Sequence, residues 1–327
     1  MKQRNFYFDY LRAIAIFMVV GIHSYNSENQ EQVCLFFRNL LNCSVPLFLA
    51  ISGFFLSKKD LYTSKNYMDF LRVQVPRVYI PMLMWSLPFV IFSLRGGHSC
   101  LSTSLNFLLG GFGGFYFITL ILQYYLLLPS MSKVLKQTSL GGVILAFFVS
   151  EISIAIIIYM RVVCSMNIPL LLYAGFFPVW LVFYMTGIYL GRFIDRDYCI
   201  KLPLLLVLVG LILSQIESSY LVRHYGTGFG IKPSSFIYSV GMLFLLFSSR
   251  TENFIRKILG DSNKLLIYIG NISFAIYLVH LVLLGHVVNR FVGSWPVKWF
   301  FTLVISIMLI QVMRWIVPAK YQKYFGV

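Results

Sequence analysis

Long apolar runs, each bounded by charged residues, glycine or proline, recur along the chain. A helix needs about 20 mostly apolar residues to cross the hydrocarbon core of a bilayer, because each residue adds only about 1.5 Å. Ten runs qualify, at approximately 6–25, 35–56, 78–94, 116–132, 141–160, 172–193, 202–221, 233–249, 265–288 and 297–317. The pattern predicts an all-α integral membrane protein with about ten transmembrane helices, and one membrane-embedded domain over residues 1–327.

Two of the runs carry residues that oppose a regular helix. Pro81 and Pro88 interrupt the third run, and a glycine run at 110–114 precedes the fourth. Proline removes a backbone donor and clashes with the preceding turn, so we expect these spans to be broken, kinked or delayed. The first run resembles a signal peptide, but Arg12 interrupts it and no small-residue cleavage site follows His23, so we interpret it as the first span.

Composition and charge agree with a membrane protein. Hydrophobic residues make up 59% of the chain and charged residues 12%, against about 45–50% and 25% in soluble domains. The net charge of +16 would suggest a nucleic-acid partner only if basic residues were gathered on one face or in a tail. Instead they lie between apolar runs, and with ten spans 20 of the 27 Lys and Arg residues fall on the side of both termini. This asymmetry predicts cytoplasmic termini in a multi-pass cell-membrane protein, with the bilayer as partner and no nucleic acid.

Five cysteines form no C-x-x-C pair, and no metal-binding set is evident, so we predict no metal. The predicted topology puts Cys100 and Cys164 in extracytoplasmic loops, with Cys34 at the same end. A disulfide there is a hypothesis, which thiol labelling of all three residues from outside would remove.

Arg12 and His23 are two ionisable residues within the first predicted span. Such groups are costly in a bilayer and usually face a bundle interior or a water-filled cavity. Eleven residues rotate a helix by about 1,100°, which is about 20° past three whole turns, so both side chains share one face about 16 Å apart. A guanidinium binds phosphate or carbonyl oxygens, whereas an imidazole can take a proton from a hydroxyl. The alternative is that Arg12 reaches the interface and His23 joins a hydrogen-bond network.

Further polar residues lie within or beside the predicted spans. Glu151 in the fifth run either orients His23 or forms a structural pair. Gln123 either binds substrate or bonds a neighbouring helix, and we interpret His280 as structural. The small-xxx-small spacing of Gly187 and Gly191 predicts a close approach of two helices.

Arg72 and Arg77 precede the third span together with Lys58, Lys59 and Lys65. Five positive charges in about twenty residues are typical of the cytoplasmic side of a membrane protein. They also suit a phosphorylated cytosolic ligand.

The first span resembles the opening of the acyltransferase-3 family of membrane O-acyltransferases, whose hallmark is an Arg and a His with ten residues between them, here Arg12 and His23. The resemblance continues in the family's order through further segments. These are Val45–Leu56, Arg77–Pro81, Tyr116–Pro129 and Ser273–His280.

This resemblance implies a ten-helix domain that moves an acyl group, usually acetyl from cytosolic acetyl-CoA, onto a hydroxyl of a sugar or glycan. His23 would be the general base, and Arg12 and Arg77 would hold the CoA donor, with Arg72 beside them. Donors to the acyl oxygen would be Tyr116, Gln123 or backbone groups.

The chain departs from the family pattern at two positions. Gln74 stands where the family often has a second Arg, with Arg72 two residues earlier, and Tyr116 stands where it often has Trp. Both departures bear on donor contacts more than on the class of reaction.

Two rival functions are compatible with the sequence. Ten helices with buried Arg, His and Glu also describe a transporter of a glycan or lipid-linked intermediate, although no two-fold repeat is visible. A structural subunit would instead tolerate Arg12→Ala and His23→Ala. For the enzyme we expect the rate to rise with pH as His23 loses its proton.

Overall fold

The computed structural model describes residues 5–25, 31–59, 64–226, 230–260 and 263–327, and these contain helices and no strand. Lys2 and Arg4, which enter the charge tally, lie outside them. The α-helices in chain order are α1 (Tyr7–Ser24), α2 (Gln32–Leu41), α3 (Ser44–Leu56), α4 (Ser64–Arg95), α5 (Cys100–Leu109), α6 (Tyr116–Thr138), α7 (Leu140–Ile158), α8 (Leu170–Tyr173), α9 (Phe177–Arg192), α10 (Lys201–Tyr225), α11 (Pro233–Phe247), α12 (Ser249–Leu259), α13 (Lys264–Asn271), α14 (Ser273–His286), α15 (Trp295–Ile316) and α16 (Ala319–Gln322).

Helices of membrane length dominate the described residues, where eight helical segments are long and apolar enough to span a bilayer. Several expose large apolar side chains, such as Ile144 on α7, Leu208 on α10 and Met308 on α15. A soluble protein rarely exposes such contiguous apolar surface, whereas lipid covers it without cost. The protein is therefore a multi-pass membrane protein, while the number of spans and the side of the termini stay predictions.

The helices differ from the predicted runs at several points. The run 35–56 divides into α2 and α3, and 265–288 divides into α13 and α14. The third span is not broken at its prolines, because α4 runs unbroken for 32 residues through Pro76, Pro81 and Pro88. Exposing a broken backbone to hydrocarbon is costly, whereas a helix that continues through proline frees only a few groups, which neighbouring helices, side chains and local adjustments can satisfy.

The glycine run separates α5, which the hydrophobic pattern did not predict, from α6. Gly110 ends α5 with a left-handed backbone, at φ +68°, and a 3₁₀ turn at Gly113–Phe115 leads into α6. The helix α6 therefore begins at Tyr116, where the fourth apolar run was predicted to begin.

The chain divides into two compact units, each built from separate stretches of sequence. Unit 1 comprises Met1–Lys59, Leu128–Ile168 and Phe177–Asn271, and unit 2 comprises Asp60–Leu127, Pro169–Phe176 and Ile272–Val327. The single-domain assignment stays a prediction.

Glycines allow close helix packing in unit 1. A Cβ added at Gly187 of α9 would overlap the backbone of Ala50 on α3, and one added at Gly191 would overlap that of Phe54. Gly53 on α3 meets α9 in the same way. The predicted close approach at Gly187 and Gly191 is therefore confirmed, and α3 is the partner helix.

In unit 2, two aromatic side chains donate hydrogen bonds to backbone carbonyls. The hydroxyl of Tyr277 on α14 donates to the carbonyl of Gly114 at 2.6 Å, and Trp85 Nε1 on α4 donates to the carbonyl of Phe325 at 3.1 Å. These bonds tie α14 to the turn before α6 and α4 to the end of the chain.

No disulfide joins the cysteines, all five of which lie within the described residues. Cys100 and Cys164 are exposed thiols, so the disulfide considered for the extracytoplasmic loops is not formed.

Candidate active site

Arg12 and His23 are both half-buried on α1, a helix whose residues are otherwise mostly buried within unit 1. Because α1 continues without a break from Tyr7 to Ser24, the two residues keep their helical phase. They share one face and are about 16 Å apart along the axis, as predicted from their spacing.

Asp9 is the ion-pair partner of Arg12. Its Oδ1 lies 2.9 Å from Arg12 Nη1, and its side chain is 2% exposed against 32% for Arg12. The Arg12 guanidinium also lies over the Phe55 ring, at 5.2 Å from the centroid. A guanidinium has five N–H donors, so one carboxylate orients the group without requiring all of them. Sequence reasoning missed Asp9, although its position three residues before Arg12 was the available signal.

Further aromatic rings and cations adjoin the Phe55 ring that Arg12 contacts, because the Phe55 centroid lies 4.9 Å from that of Phe8 and 5.5 Å from that of Phe54. Phe8 and Phe54 stack with centroids 4.7 Å apart, Lys58 Nζ lies 4.0 Å from the Phe54 centroid, and Arg196 Cζ lies 5.4 Å from that of Phe8. We call this group the Arg12 patch, and it consists of Phe8, Arg12, Phe54, Phe55, Lys58 and Arg196. Stacked rings and guanidinium groups are the side chains that suit a nucleotide with its phosphates.

Arg196 is fixed by Glu252 on α12. Its Nη2 lies 2.6 Å from Glu252 Oε2, while Arg256 Nη2 lies 2.8 Å from Oε1 and Asn5 Nδ2 donates to Oε1 at 3.1 Å. Burial by itself would raise the pKa of Glu252, but the charges and hydrogen bonds of Arg196 and Arg256 outweigh it and hold that pKa below its usual value. Glu252 is therefore an anion that positions Arg196.

Arg38 on α2 is the charged neighbour of His23 at the other end of α1. Its guanidinium lies over the ring of Tyr25, at 5.4 Å from the centroid. Sequence reasoning counted Arg38 only among the basic residues on the side opposite the termini and did not connect it with His23.

Glu151 lies on α7 in unit 1. Its Oε1 is buried without a hydrogen-bond partner among the described residues, and its charged neighbour is Glu217 on α10. The orientation of His23 by Glu151 stays a prediction.

Arg72 and Arg77 lie on α4 in unit 2. Arg72 is 74% exposed, and its Nη1 lies 3.7 Å from Oδ1 of Asp69, whose side chain is 57% exposed. Arg77 is exposed, and Tyr125 is an electrostatic neighbour. Because the two arginines are five positions apart on a continuous helix, they point about 140° apart around it. Arg72 and Arg77 are therefore poorly placed to bind the same phosphate group, although their closeness in sequence suggested that they could.

Tyr116 and Gln123 both lie on α6 in unit 2. Tyr116 is half-buried at the first position of the helix. Gln123 Nε2 donates to the carbonyl of Gly175 at 2.6 Å and to that of Thr119 at 3.2 Å. The Gln123 amide nitrogen therefore bonds the segment after α8, which agrees with a structural role for this residue. To bind a substrate, the nitrogen would have to give up one of these two hydrogen bonds.

His280 is fully buried on α14, and its Nδ1 lies 2.7 Å from the carbonyl of Tyr277. That contact assigns the Nδ1–H tautomer and fits a structural role.

The structure divides the predicted site residues between the two units. Unit 1 contains Arg12, His23 and Glu151, and unit 2 contains Arg72, Arg77, Tyr116 and Gln123. Across the described ranges no three His, Cys, Asp or Glu residues are grouped as metal ligands.

The fold defines a polytopic membrane protein, in which a helix with Arg12 and His23 on one face lies mostly buried within unit 1. Residues 5–315 match the model of the acyltransferase-3 family, which is described as an acyltransferase domain, and the chain belongs to this family. It is also 27% identical over 271 residues to a protein of Bacillus subtilis (strain 168) named "Putative membrane-bound acyltransferase YfiQ", over 77% of this chain and 71% of that protein. No solved structure shows a significant match. The protein is thus a membrane acyltransferase, with an acyl donor, an acceptor and the bilayer as its partners.

Proposed function

We propose that this acyltransferase is an O-acetyltransferase, which moves acetyl from cytosolic acetyl-CoA to a hydroxyl of a sugar or glycan. The observation that carries the proposal is the placement of Arg12 and His23 on one face of α1, with distinct surroundings at the two ends. One end presents cations on aromatic rings, and the other presents an imidazole. A thin donor such as CoA would lie along this face.

The Arg12 patch is the proposed donor site. Asp9 orients the Arg12 guanidinium, and Glu252 positions Arg196, so two planar cations are held beside stacked rings before any ligand arrives. Such preorganised charge binds phosphate oxygens at a lower entropic cost than flexible side chains do. Arg72 and Arg77 are proposed as further donor contacts.

His23 is the proposed general base. Its imidazole takes the proton from the acceptor hydroxyl while that oxygen attacks the thioester carbonyl, and the C–S bond then breaks to release CoA thiolate, which takes up a proton. Tyr116 and Gln123 are proposed as donors to the developing charge on the acyl oxygen, and Glu151 as the group that orients His23. The donor comes from the cytoplasm and needs no metal, and the product is an acetylated sugar, glycan or polysaccharide.

Labelled acetyl-CoA and a glycan acceptor, supplied to the purified full-length protein, test the proposal. We expect His23→Ala to lower CoA release and acetyl transfer by about 10²- to 10⁴-fold, because a general base contributes about that factor. His224→Ala, at an exposed histidine near the end of α10, is the matched control and should leave the rate unchanged.

Two results would count against the proposal. One is transfer that survives His23→Ala, and the other is transport of the acceptor without CoA release, which is the expectation for the transporter. With chemistry rate-limiting, a rate that stays flat from about pH 5 to 9 would exclude a histidine base.

A further inference from the structure

The helix α12 is short and charged, and it follows an apolar helix directly. Its 11 residues include four charged side chains and extend for about 16 Å, so it cannot cross a hydrocarbon core of about 30 Å. It begins two residues after the end of α11, which coincides with the predicted span 233–249. Between the two helices Ser248 has an extended backbone, with ψ at 145°, so the helical path is interrupted there. The position of α12 is therefore the point where the chain leaves a predicted span.

The two faces of α12 have different surroundings. Glu252 on one face is buried and forms ion pairs with Arg196 and Arg256. On the opposite face, Phe254 and Ile258 are 63% and 64% exposed. Two successive positions add up to about 200° on a helix, so Phe254 points about 160° away from Glu252, whereas Phe254 and Ile258 are only about 40° apart. Protein thus covers one face of α12, and the other presents an apolar strip.

Two basic residues border this strip. Arg250 and Lys257 are exposed, lie about 20° apart around the helix and are about 40–60° from Phe254. Arg250 Nε lies 3.4 Å from Oδ1 of Asp197, but both side chains are more than half exposed, so water weakens this ion pair. An apolar strip bordered by Lys and Arg is typical of a helix that lies in the interface of a bilayer.

The buried face of α12 is connected to the Arg12 patch. Glu252 Oε2 lies 2.6 Å from Arg196 Nη2, and the Arg196 guanidinium lies over the Phe8 ring. The backbone makes the same connection, because the Ser249 nitrogen donates to the carbonyl of Arg196 at 2.9 Å and Arg196 Nε donates to that of Phe247 at 2.6 Å. A contact that holds α12 in place therefore also holds one cation of the proposed donor site.

We propose that the exposed face of α12 binds the bilayer surface through anionic phospholipid headgroups, and that this contact raises the affinity of the donor site for acetyl-CoA. Phe254 and Ile258 enter between the headgroups. Arg250 and Lys257 contact the lipid phosphates. The positive charge of this face and its place beside a predicted span fit an anionic lipid surface. The effect on acetyl-CoA rests on the proposed function, whereas the lipid contact does not.

Fluorescence quenching tests the lipid contact without using activity. The full-length protein, cysteine-free except for Phe254→Cys, carries a bimane label in nanodiscs of brominated phosphatidylcholine and phosphatidylglycerol. We expect lipid to quench this label about 2-fold more strongly than the same label at Asn253→Cys, an exposed position about 100° away on the same helix. Equal quenching at the two positions, or none at either, overturns the contact. Protection that occurs only in discs with two copies of the protein assigns the face to a second copy instead.

Kinetics in nanodiscs test the effect on the donor site. We expect KM for acetyl-CoA to be about 5-fold higher in phosphatidylcholine alone than with phosphatidylglycerol added, because one basic residue near an anionic surface contributes about that factor. The value of kcat should not change. Lys257→Gln should reduce the difference to about 2-fold at most. Lys133→Gln, at an exposed lysine near the end of α6, is the matched control and should keep the full difference.

The comparison of lipids needs no variant, so a wild-type KM that does not depend on phosphatidylglycerol overturns the effect on the donor site. If soluble glycerol phosphate lowers KM in neutral discs as much as phosphatidylglycerol does, the ligand is a free phosphate and the lipid surface is wrong. If acetyl transfer depends on His23 in no disc, the proposed function fails, while the quenching result still decides whether α12 contacts lipid.

Discussion

At the residue scale, the orientation of the Arg12 guanidinium depends on its ion pair with Asp9. The carboxylate is 2% exposed, so it relies on the guanidinium for compensation, and the guanidinium relies on the carboxylate for orientation. A lysine can replace the charge but not the planar set of donors. Substitution of Arg12 can therefore separate folding from donor binding.

We predict that Arg12→Lys raises KM for acetyl-CoA about 10-fold while stability stays near that of the wild type, because an ammonium still compensates Asp9. Arg12→Ala should raise KM similarly and also cost about 2 kcal/mol of unfolding free energy, because Asp9 loses its partner. Steady-state kinetics and thermal denaturation in detergent measure the two effects. Arg250→Lys, in an exposed pair with Asp197, is the control; equal stability of both Arg12 variants would contradict the role assigned to Asp9.

Sequence reasoning reached some of these residues and missed others for a physical reason. The shared face of Arg12 and His23 follows from helical geometry alone, since α1 is continuous. Asp9 was within reach of the same argument, as the i, i+3 partner of Arg12. The hydrogen bond between Lys232 and Asn39 could not be predicted in this way, because it joins residues 193 positions apart. Helical periodicity carries no information about such distant pairs.

At the element scale, α3 and α9 depend on glycine for their contact. Without a hydrophobic driving force between helices in lipid, close van der Waals packing stabilises the pair, and a side chain at Gly187 would displace the backbone of Ala50.

We predict that Gly187→Val lowers the unfolding free energy by about 1–3 kcal/mol, the usual cost of overpacking. Gly285→Ala is the matched control, because this glycine of α14 has no atom within 4 Å of an added Cβ, and alanine there should be neutral or stabilising. Thermal unfolding of both variants in the same detergent tests the contact. A Gly187 variant as stable as the control would show that α3 and α9 can separate at no cost.

Glu252 anchors α12 through its ion pairs, and this anchoring depends on pH. Its folded-state pKa is held below the unfolded value of about 4.5, so its stabilisation is fully present above pH 4.5 and is lost as pH falls through the folded-state pKa. We predict that Glu252→Gln costs about 2 kcal/mol at neutral pH and progressively less in acid below pH 4.5. Melting temperatures of both proteins from pH 7 to pH 3 measure the difference, with Asp197→Asn at an exposed ion pair as control. A difference that does not shrink with acid would assign the effect to packing.

The hydrophobic pattern predicted helices well and their interruptions poorly. It placed the start of α6 at Tyr116, yet it gave no sign that 35–56 divides into α2 and α3. Apolar runs record that a segment is in lipid, whereas breaks in helices depend on the partners that satisfy the freed backbone groups. The continuity of α4 through three prolines has the same origin.

At the scale of the whole molecule, the two ends of α1 require different surroundings. In the proposed function, a cytosolic donor reaches the Arg12 patch and the His23 end faces the acceptor. The distribution of Lys and Arg predicts this orientation, with both termini in the cytoplasm. The proposed direction of transfer therefore depends on a topology that can be measured directly.

Three native cysteines with exposed side chains provide the measurement, namely Cys100, Cys164 and Cys199. The predicted topology puts the first two outside and Cys199 inside, because three predicted spans separate Cys100 from Cys199. We predict that an impermeant maleimide labels variants keeping only Cys100 or only Cys164 in intact cells, and labels one keeping only Cys199 after permeabilisation. A cysteine-free chain is the control. Labelling of Cys100 and Cys199 from the same side would mean an even number of membrane crossings between them. Labelling of Cys199 from outside, and of Cys100 and Cys164 only after permeabilisation, would put the Arg12 patch outside, where no cytosolic acetyl-CoA reaches it.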